Sequence, residues 1–254
     1  MIQVIIAGAA GKMGKEAIKA VTQAEDMQLV GAVTRQSGLG QDAGSYAGIE
    51  PIHLTLTDQL EPLLKQGSVM VDLTKGEAAY HHTLLALEHH IPSVVGATGF
   101  TDTHIETLKQ KSFEKQCGVL LAPNFSIGAL LMMKFAQQAR VYFDWVEIIE
   151  LHHEKKLDAP SGTAIKTAQL LQKDVSISEI TSPARGELHY GIPIHSVRVP
   201  GLMAHQEVIF GTLGQTLTLR HDTLSREAFM PGLLLAIRKV QTLNSFLYGL
   251  ENLI

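Results

Sequence analysis

Cysteine is all but absent from this chain of 254 residues: Cys117 stands alone. That excludes an intrachain disulfide and a cysteine-rich metal centre, and the expectation is a reducing, cytoplasmic setting with no bound metal. An excess of positive charge is also missing. The formal net charge is -4 and no segment interleaves Lys or Arg with aromatic residues, so neither nucleic acid nor a membrane surface is an expected partner. Long apolar runs are lacking too. The longest, Ile127 to Met133, ends at Lys134, well short of the roughly 20 residues that cross a bilayer. The N-terminus has no basic n-region and its apolar run stops at a glycine turn, which does not read as a signal peptide. No internal repeat and no low-complexity segment is found. What remains is 45% apolar and 18% charged residues, the balance of a folded globular chain long enough for one large domain or two modest ones.

Polar chemistry concentrates in Glu150-Leu-His-His-Glu-Lys-Lys-Leu-Asp-Ala-Pro-Ser-Gly-Thr-Ala164. Strand-like apolar residues precede it (Trp145, Val146, Ile148, Ile149, Leu151), and helical spacing follows it (Ala164, Ile165, Ala168, Leu171). The cluster therefore falls where a buried strand ends and a loop leads into a helix. Pro160 suits the start of that helix, with Ser161 or Thr163 as its cap. Free N–H groups in the first turn would cradle an anion. Imidazole for proton transfer, ammonium for charge and a helix N-terminus for a carboxylate together point to chemistry on an anionic small molecule. The competing reading is a solvated loop with a capped helix.

At the N-terminus, Ile2-Gln-Val-Ile-Ile-Ala7 reads as a buried β-strand. Gly8-Ala-Ala-Gly11-Lys-Met-Gly14 follows at once, and Lys15 to Thr22 has helical spacing. Strand, glycine turn and helix in this order make a dinucleotide site, because the glycines let the backbone approach a pyrophosphate at the helix N-terminus. The spacing is G-x-x-G-x-x-G, and a plain βα turn of small residues is the alternative. A second strand, Met27 to Val33, should end beside the adenosine ribose. Thr34-Arg35 stands there in place of the acid that binds a ribose 2′-OH in NAD-specific sites. Arg35 is suited to a 2′-phosphate, or else is a solvated loop residue.

Strand–helix alternation continues, which predicts a parallel sheet with right-handed crossovers. Gly38 to Ser45 reads as a mobile loop, His53 to Leu56 as a short strand and Leu60 to Lys65 as a helix. Strands at Ser68–Leu73, Ser93–Gly96 and Gly118–Ala122 end in Thr74, in Gly96-Ala97-Thr98-Gly99 and in Pro123-Asn124-Phe125-Ser126, with helices at Ala78–His90 and Thr103–Phe113 between them. The pairs His81-His82 and His89-His90 lie within a helical pattern and read as solvated or partly packed.

From Ile127 the pattern changes. A long helix to Tyr142 leads to strands at Val146–Leu151, His195–Val199, Glu207–Phe210 and Thr216–Arg220, with one helix, Ala164–Lys173, inserted and Glu179 to Pro193 read as an ordered loop or lid. Ser225 to Val240 is helical, and the C-terminus is expected to return to the first unit. The expected architecture is α/β: a Rossmann-like parallel-sheet domain at 1–126 completed by 227–254, and an α+β domain with an open mixed sheet at 127–226.

The glycine turn, Ala122-Pro-Asn-Phe125, the His152 to Ala164 stretch, Gly191-Ile-Pro-Ile-His-Ser-Val-Arg198 and Gly201 to Gly211 occur together and in order across nearly the whole chain. In this the sequence resembles the 4-hydroxy-tetrahydrodipicolinate (dihydrodipicolinate) reductase family of the diaminopimelate route to lysine. The resemblance implies an NAD(P)H-dependent oxidoreductase acting on a small dicarboxylate, and a homotetramer built through the second domain's sheet. It implies that His152 is the proton donor and Lys156 the second catalytic group. His153 and the Ser161-Gly162-Thr163 turn would hold substrate, with Gly162-Thr163 on a carboxylate. Gly8, Ala9, Ala10, Gly11, Lys12 and Met13 would form the pyrophosphate loop, and Gly96-Ala97-Thr98 with Ala122-Pro123-Asn124-Phe125 would line the nicotinamide side. Two departures stand out: the family often has Gly-Thr-Thr at 96–98, and often an acid near Thr34. With Thr34 and Arg35 at the ribose, both NADPH and NADH are expected, with NADPH favoured.

Rival readings are another NAD(P)-dependent oxidoreductase of related build, a metal hydrolase using His152 and His153, and a non-catalytic dinucleotide sensor. The first would need a thiol if it were an aspartate-semialdehyde dehydrogenase, and Cys117 is the sole candidate. The second lacks H-E-x-x-H, and adjacent residues of an extended segment point apart.

Overall fold

A computed structural model describes residues 1–173 and 183–254. In chain order its elements are β1 (Ile2–Ala7), α1 (Lys12–Gln23), β2 (Met27–Val33), α2 (Ala43–Ala47), α3 (Glu61–Leu64), β3 (Val69–Asp72) and α4 (Gly76–Glu88). Then come β4 (Ser93–Val95), α5 (Asp102–Lys115), β5 (Val119–Leu121), α6 (Ile127–Arg140), β6 (Trp145–His152) and α7 (Gly162–Leu171). The chain closes with β7 (Glu187–His189), β8 (Ile192–Arg198), β9 (Ala204–Thr212), β10 (Gln215–Thr223), α8 (Met230–Val240) and β11 (Phe246–Tyr248). These divide into two compact units, Met1–Phe125 with Phe229–Ile254, and Ser126–Ala228.

The first unit is a parallel sheet in the order β11-β5-β4-β3-β1-β2. Helices on a parallel sheet bury both of its faces, which is why β1 and β3 are nearly continuous apolar runs. Val4, Ile5, Ile6, Val69, Met70 and Val71 are all fully buried, and each large side chain among them contributes about 1.5–3 kcal/mol of burial. The chain leaves β1 toward β2 on one side and later returns to β3 on the other, so the strand order reverses at β1, where doubly wound sheets bind ligands. β11 pairs in parallel with β5, Phe246 opposite Val119, which brings the end of the chain into this sheet.

Two local expectations differ here. The segment 38–45 is ordered and contains the start of α2, capped by Asp42, whose carboxylate accepts the Ser45, Ile52 and Leu54 N–H groups. Residues 53–56 form no strand, only isolated bridges such as Asp42–Thr55. The Asp42 carboxylate takes the Leu54 N–H and His53 adopts φ 57, both of which stop a ladder from forming.

The second unit is a mixed sheet, β10-β9-β6-β8-β7, in which only β6 and β8 run parallel. On β6, Val146, Ile148 and Glu150 alternate as buried residues with the half-buried Glu147, Ile149 and Leu151. The buried face lies against α7, as the Gln206–Thr167 hydrogen bond of 2.8 Å shows. α6 and α7 are joined through buried Arg140, which donates to the Leu171 and Phe143 carbonyls. The expected loop at 179–193 is corrected over 183–193: β7 and the start of β8 form a hairpin around Tyr190 (φ 51) and Gly191 (φ 78). Two consecutive positive φ values are what a type I′ two-residue hairpin turn requires. Glu179 to Ser182 lie outside the described residues.

Candidate active site

In the first unit the cofactor candidates gather at the C-terminal ends of the parallel strands. Gly8 (φ 80) begins the turn after β1, and the Gly8 and Ala9 N–H groups donate to Val33 O at 3.0 and 2.9 Å. Gly14 cannot be larger, because a Cβ there would lie 2.2 Å from Gly8 O. Gly11 caps α1 without a side chain, so the amides of Lys12 and Met13 open the helix. No acidic residue occupies that first turn, so backbone N–H groups and the helix dipole suit a pyrophosphate. Thr34 is buried and its hydroxyl donates to Ser37 O at 3.0 Å, turning it away from solvent, whereas Arg35 is exposed.

The other strand ends converge on one another. Gly96 N–H donates to Asp72 O at 2.8 Å, and Ala122 N–H donates to Val95 O at 2.9 Å. A Cβ on Gly96 would meet the Phe125 ring at 2.5 Å and Leu73 Cδ2 at 2.8 Å. Gly96, Ala97, Ala122 and Phe125 therefore form one packed rim, with Thr98 and Pro123 exposed on it. Cys117 lies in the core behind it, its thiol pushed up by burial to about 11. A thiol so placed is no thiolate at neutral pH, which removes the nucleophile that an aspartate-semialdehyde dehydrogenase would need.

In the second unit the polar stretch is built around a buried carboxylate. Glu150 and His152 share the inner face of β6, two residues apart. His152 Nδ1 lies 2.5 Å from Glu150 Oε2. Arg198, brought alongside by the parallel pairing of β6 with β8, donates to Oε2 at 2.8 Å and Oε1 at 2.6 Å, and also to Asp158 O at 2.7 Å. Ser161 N–H adds a bond to Oε1 at 3.2 Å. Burial opposes ionisation of Glu150, but the hydrogen bonds from His152 and Arg198 outweigh it and hold the carboxyl at about 2. An ionised Glu150 accepts only, so His152 Nδ1–H donates a hydrogen bond to it, which leaves His152 Nε2 for chemistry.

Ser161, rather than Thr163, caps α7, accepting Ala164 N–H at 3.2 Å. Gly162 and Thr163 head the helix, where amides lack internal partners, and a Cβ added to Gly162 would meet open space. Lys156 Nζ is paired with both Asp158 oxygens at 2.8 Å. His153 O accepts the Lys156 N–H at 3.1 Å, turning the loop back after β6.

Sequence reasoning assigned no role to Glu150, Arg198 or Asp158. One signal was legible: an acid at a core-facing position of an apolar strand, in phase with Val146 and Ile148. Among the described residues no group of three or more His, Cys, Asp or Glu is placed to hold a metal ion, and no helix is long and apolar enough to cross a membrane.

A parallel sheet with a glycine turn after its first strand, and a second unit that aims a carboxylate-held imidazole beside an anion-ready helix start, define a two-unit dinucleotide-dependent oxidoreductase. Family comparisons are specific. The N-terminal part of dihydrodipicolinate reductase matches residues 2–125 and the C-terminal part matches residues 128–254. The chain belongs to the dihydrodipicolinate reductase family. It is 53% identical to the 4-hydroxy-tetrahydrodipicolinate reductase of Mastigocladus laminosus, over 100% of this chain and 98% of that protein. It is 48% identical to the enzyme of that name from Moorella thermoacetica, with the same coverage. The solved dipicolinate-bound dihydrodipicolinate reductase of Paenisporosarcina sp. TG-14 superposes with a TM-score of 0.85 at 42% identity, covering 100% of both chains.

Proposed function

We propose that this chain reduces 4-hydroxy-tetrahydrodipicolinate to tetrahydrodipicolinate, a step of the diaminopimelate route to lysine, with His152 as the proton donor. The observation that carries the reading is the Glu150–His152 pair at 2.5 Å, tied to the start of α7 by the Ser161 N–H on Glu150 Oε1. Bound reduced nicotinamide would supply the hydride, the hard part of the chemistry. The chain's own groups do the rest. His152, held through Nδ1 and doubly protonated as the imidazolium, gives a proton from Nε2 to the substrate as the hydride adds, and the 4-hydroxyl leaves as water. The Gly162 and Thr163 amides at the start of α7 receive one substrate carboxylate, with His153 as a further contact. Lys156 exchanges Asp158 for the second carboxylate and stabilises negative charge developing on the substrate. The dipicolinate in the Paenisporosarcina structure, itself a ring dicarboxylate, supports this substrate class.

The residues of the glycine turn and of the 96–98 and 122–125 rim hold the dinucleotide, which is NADPH or NADH with NADPH preferred through Arg35. The protein works as a cytoplasmic homotetramer assembled through the second unit's sheet. Its support is the apolar surface of that unit, where Trp145 is 54% and Leu213 101% exposed, side chains that association would cover.

The test is oxidation of reduced nicotinamide followed with freshly prepared 4-hydroxy-tetrahydrodipicolinate. Turnover that depends on this substrate is expected. Folded protein that binds the dinucleotide yet gives no turnover would leave a dinucleotide sensor as the reading.

A further inference from the structure

The first unit holds a second buried carboxylate, to which nothing above gives a role. Asp72 ends β3 and is fully buried. Its Oδ1 accepts the Thr74 N–H at 2.8 Å and the Thr74 hydroxyl at 2.5 Å, and its Oδ2 lies 2.7 Å from His82 Nδ1 on α4. A carboxylate without water is tolerated only when its oxygens are bonded in this way. An apolar residue would fill the end of β3 more simply, so the interest lies in what the bonds hold.

They hold the loop 73–76, which links both glycine turns. The Leu73 carbonyl lies 2.9 Å from where a Cβ on Gly8 would sit, Leu73 N–H donates to Ala7 O, and Gly76 N–H donates to Thr98 O at 3.1 Å. Leu73, Thr74 and Gly76 are all partly exposed. The loop follows the strand next to β1 on the side away from β2. A dinucleotide crossing the sheet at its switch point places its adenosine over the β2 side and its other half over β3 and β4.

The geometry points to Asp72, with Thr74 and His82, as the positioning group that sets this loop against the nicotinamide half of the dinucleotide. His82 closes the outer end of the clamp: it is 27% exposed and fixes Oδ2, so that Oδ1 stays aimed at Thr74. This inference rests on the dinucleotide reading of the first unit and not on the identity of the substrate.

The experiment is a binding titration of the whole chain with NADPH and NADH, and separately with ADP and 2′,5′-ADP, which carry only the adenosine half. In Asp72→Ala the affinity for the complete dinucleotides is expected to fall about tenfold or more, the effect of losing bonds to a charged acceptor. ADP binding should stay within about twofold, as expected of a distant site. Asp72→Asn keeps an oxygen for Thr74 and offers an amide to the other tautomer of His82, and should restore most of the loss. Unchanged dinucleotide affinity in folded Asp72→Ala would overturn the inference. So would equal weakening of both ligand classes, because that is general damage to the glycine turn. Should Asp72→Ala fail to fold, His82→Leu at the half-exposed helix position is read in the same way: selective weakening of the dinucleotides supports the inference and unchanged affinity refutes it. Because no substrate enters the titration, a failure of the proposed reaction leaves this result readable on its own.

Discussion

Glu150 Oε2 lies 2.5 Å from His152 Nδ1, and the same carboxylate is forked by Arg198. Every hydrogen atom aimed at Glu150 comes from a donor, so the side chain must accept on both oxygens. Glu150→Gln puts an NH2 group against either Arg198 and His152 or Arg198 and Ser161, and neither orientation is satisfied. Loss of turnover by about 10-fold or more is expected, since a mis-set imidazole loses much of the gain of general acid catalysis. Dinucleotide binding should be unaffected, because the substitution is confined to the second unit. Wild-type kcat in the variant would detach Glu150 from the reaction.

The same contact makes a pH prediction. The folded carboxyl sits at about 2 against an ordinary 4.5, so its stabilising contribution is complete above about 4.5 and is lost as pH falls toward 2. Denaturant midpoints measured between those limits should decline with acid in the wild type and decline less steeply in Glu150→Gln. Parallel curves would contradict the assignment.

Replacing His152 by Gln should lower kcat by about 10²-fold or more if it is the acid. The KM for reduced nicotinamide should change little. Turnover near normal would pass the role to His153, Lys156 or water.

Lys156 is held by Asp158 and half-shielded from solvent. If it exchanges that partner for a substrate carboxylate, Lys156→Ala raises KM for the substrate and lowers kcat together. Kinetics identical to wild type would leave the lysine as no more than the partner of Asp158.

Arg35 is exposed at the end of β2, so salt screens any phosphate contact it makes. The ratio of kcat/KM for NADPH over NADH is expected to exceed one, and to fall in Arg35→Ala by up to about one to two decades. A ratio that does not move would show that the 2′-phosphate is read elsewhere.

Much of the fold was legible because its signals are local. The strand β1, the glycine turn and α1 are contiguous, and the apolar runs of β3, β4 and β5 follow from burial on two faces. Harder to read were segments whose conformation depends on a distant acceptor. Residues 53–56 look like a strand, but the Leu54 N–H goes to the Asp42 carboxylate, and the Tyr190-Gly191 turn hides behind a proline-containing, charged segment. His81 and His82 look alike in sequence, yet only His82 meets Asp72, because α4 packs with that position over the end of β3.

By itself the sequence determined which residue types stand at the strand ends and at the start of α7, since strand alternation, helical spacing and glycine turns are properties of neighbouring residues. The tertiary structure alone decided which of those groups meet. Arg198 reaches Glu150 across 48 positions because β6 and β8 pair in parallel with Glu150 opposite Ser196 and His152 opposite Arg198. A shift of one residue in that register would turn Arg198 to the other face, leaving Glu150 buried without its counter-ion and His152 without a fixed partner.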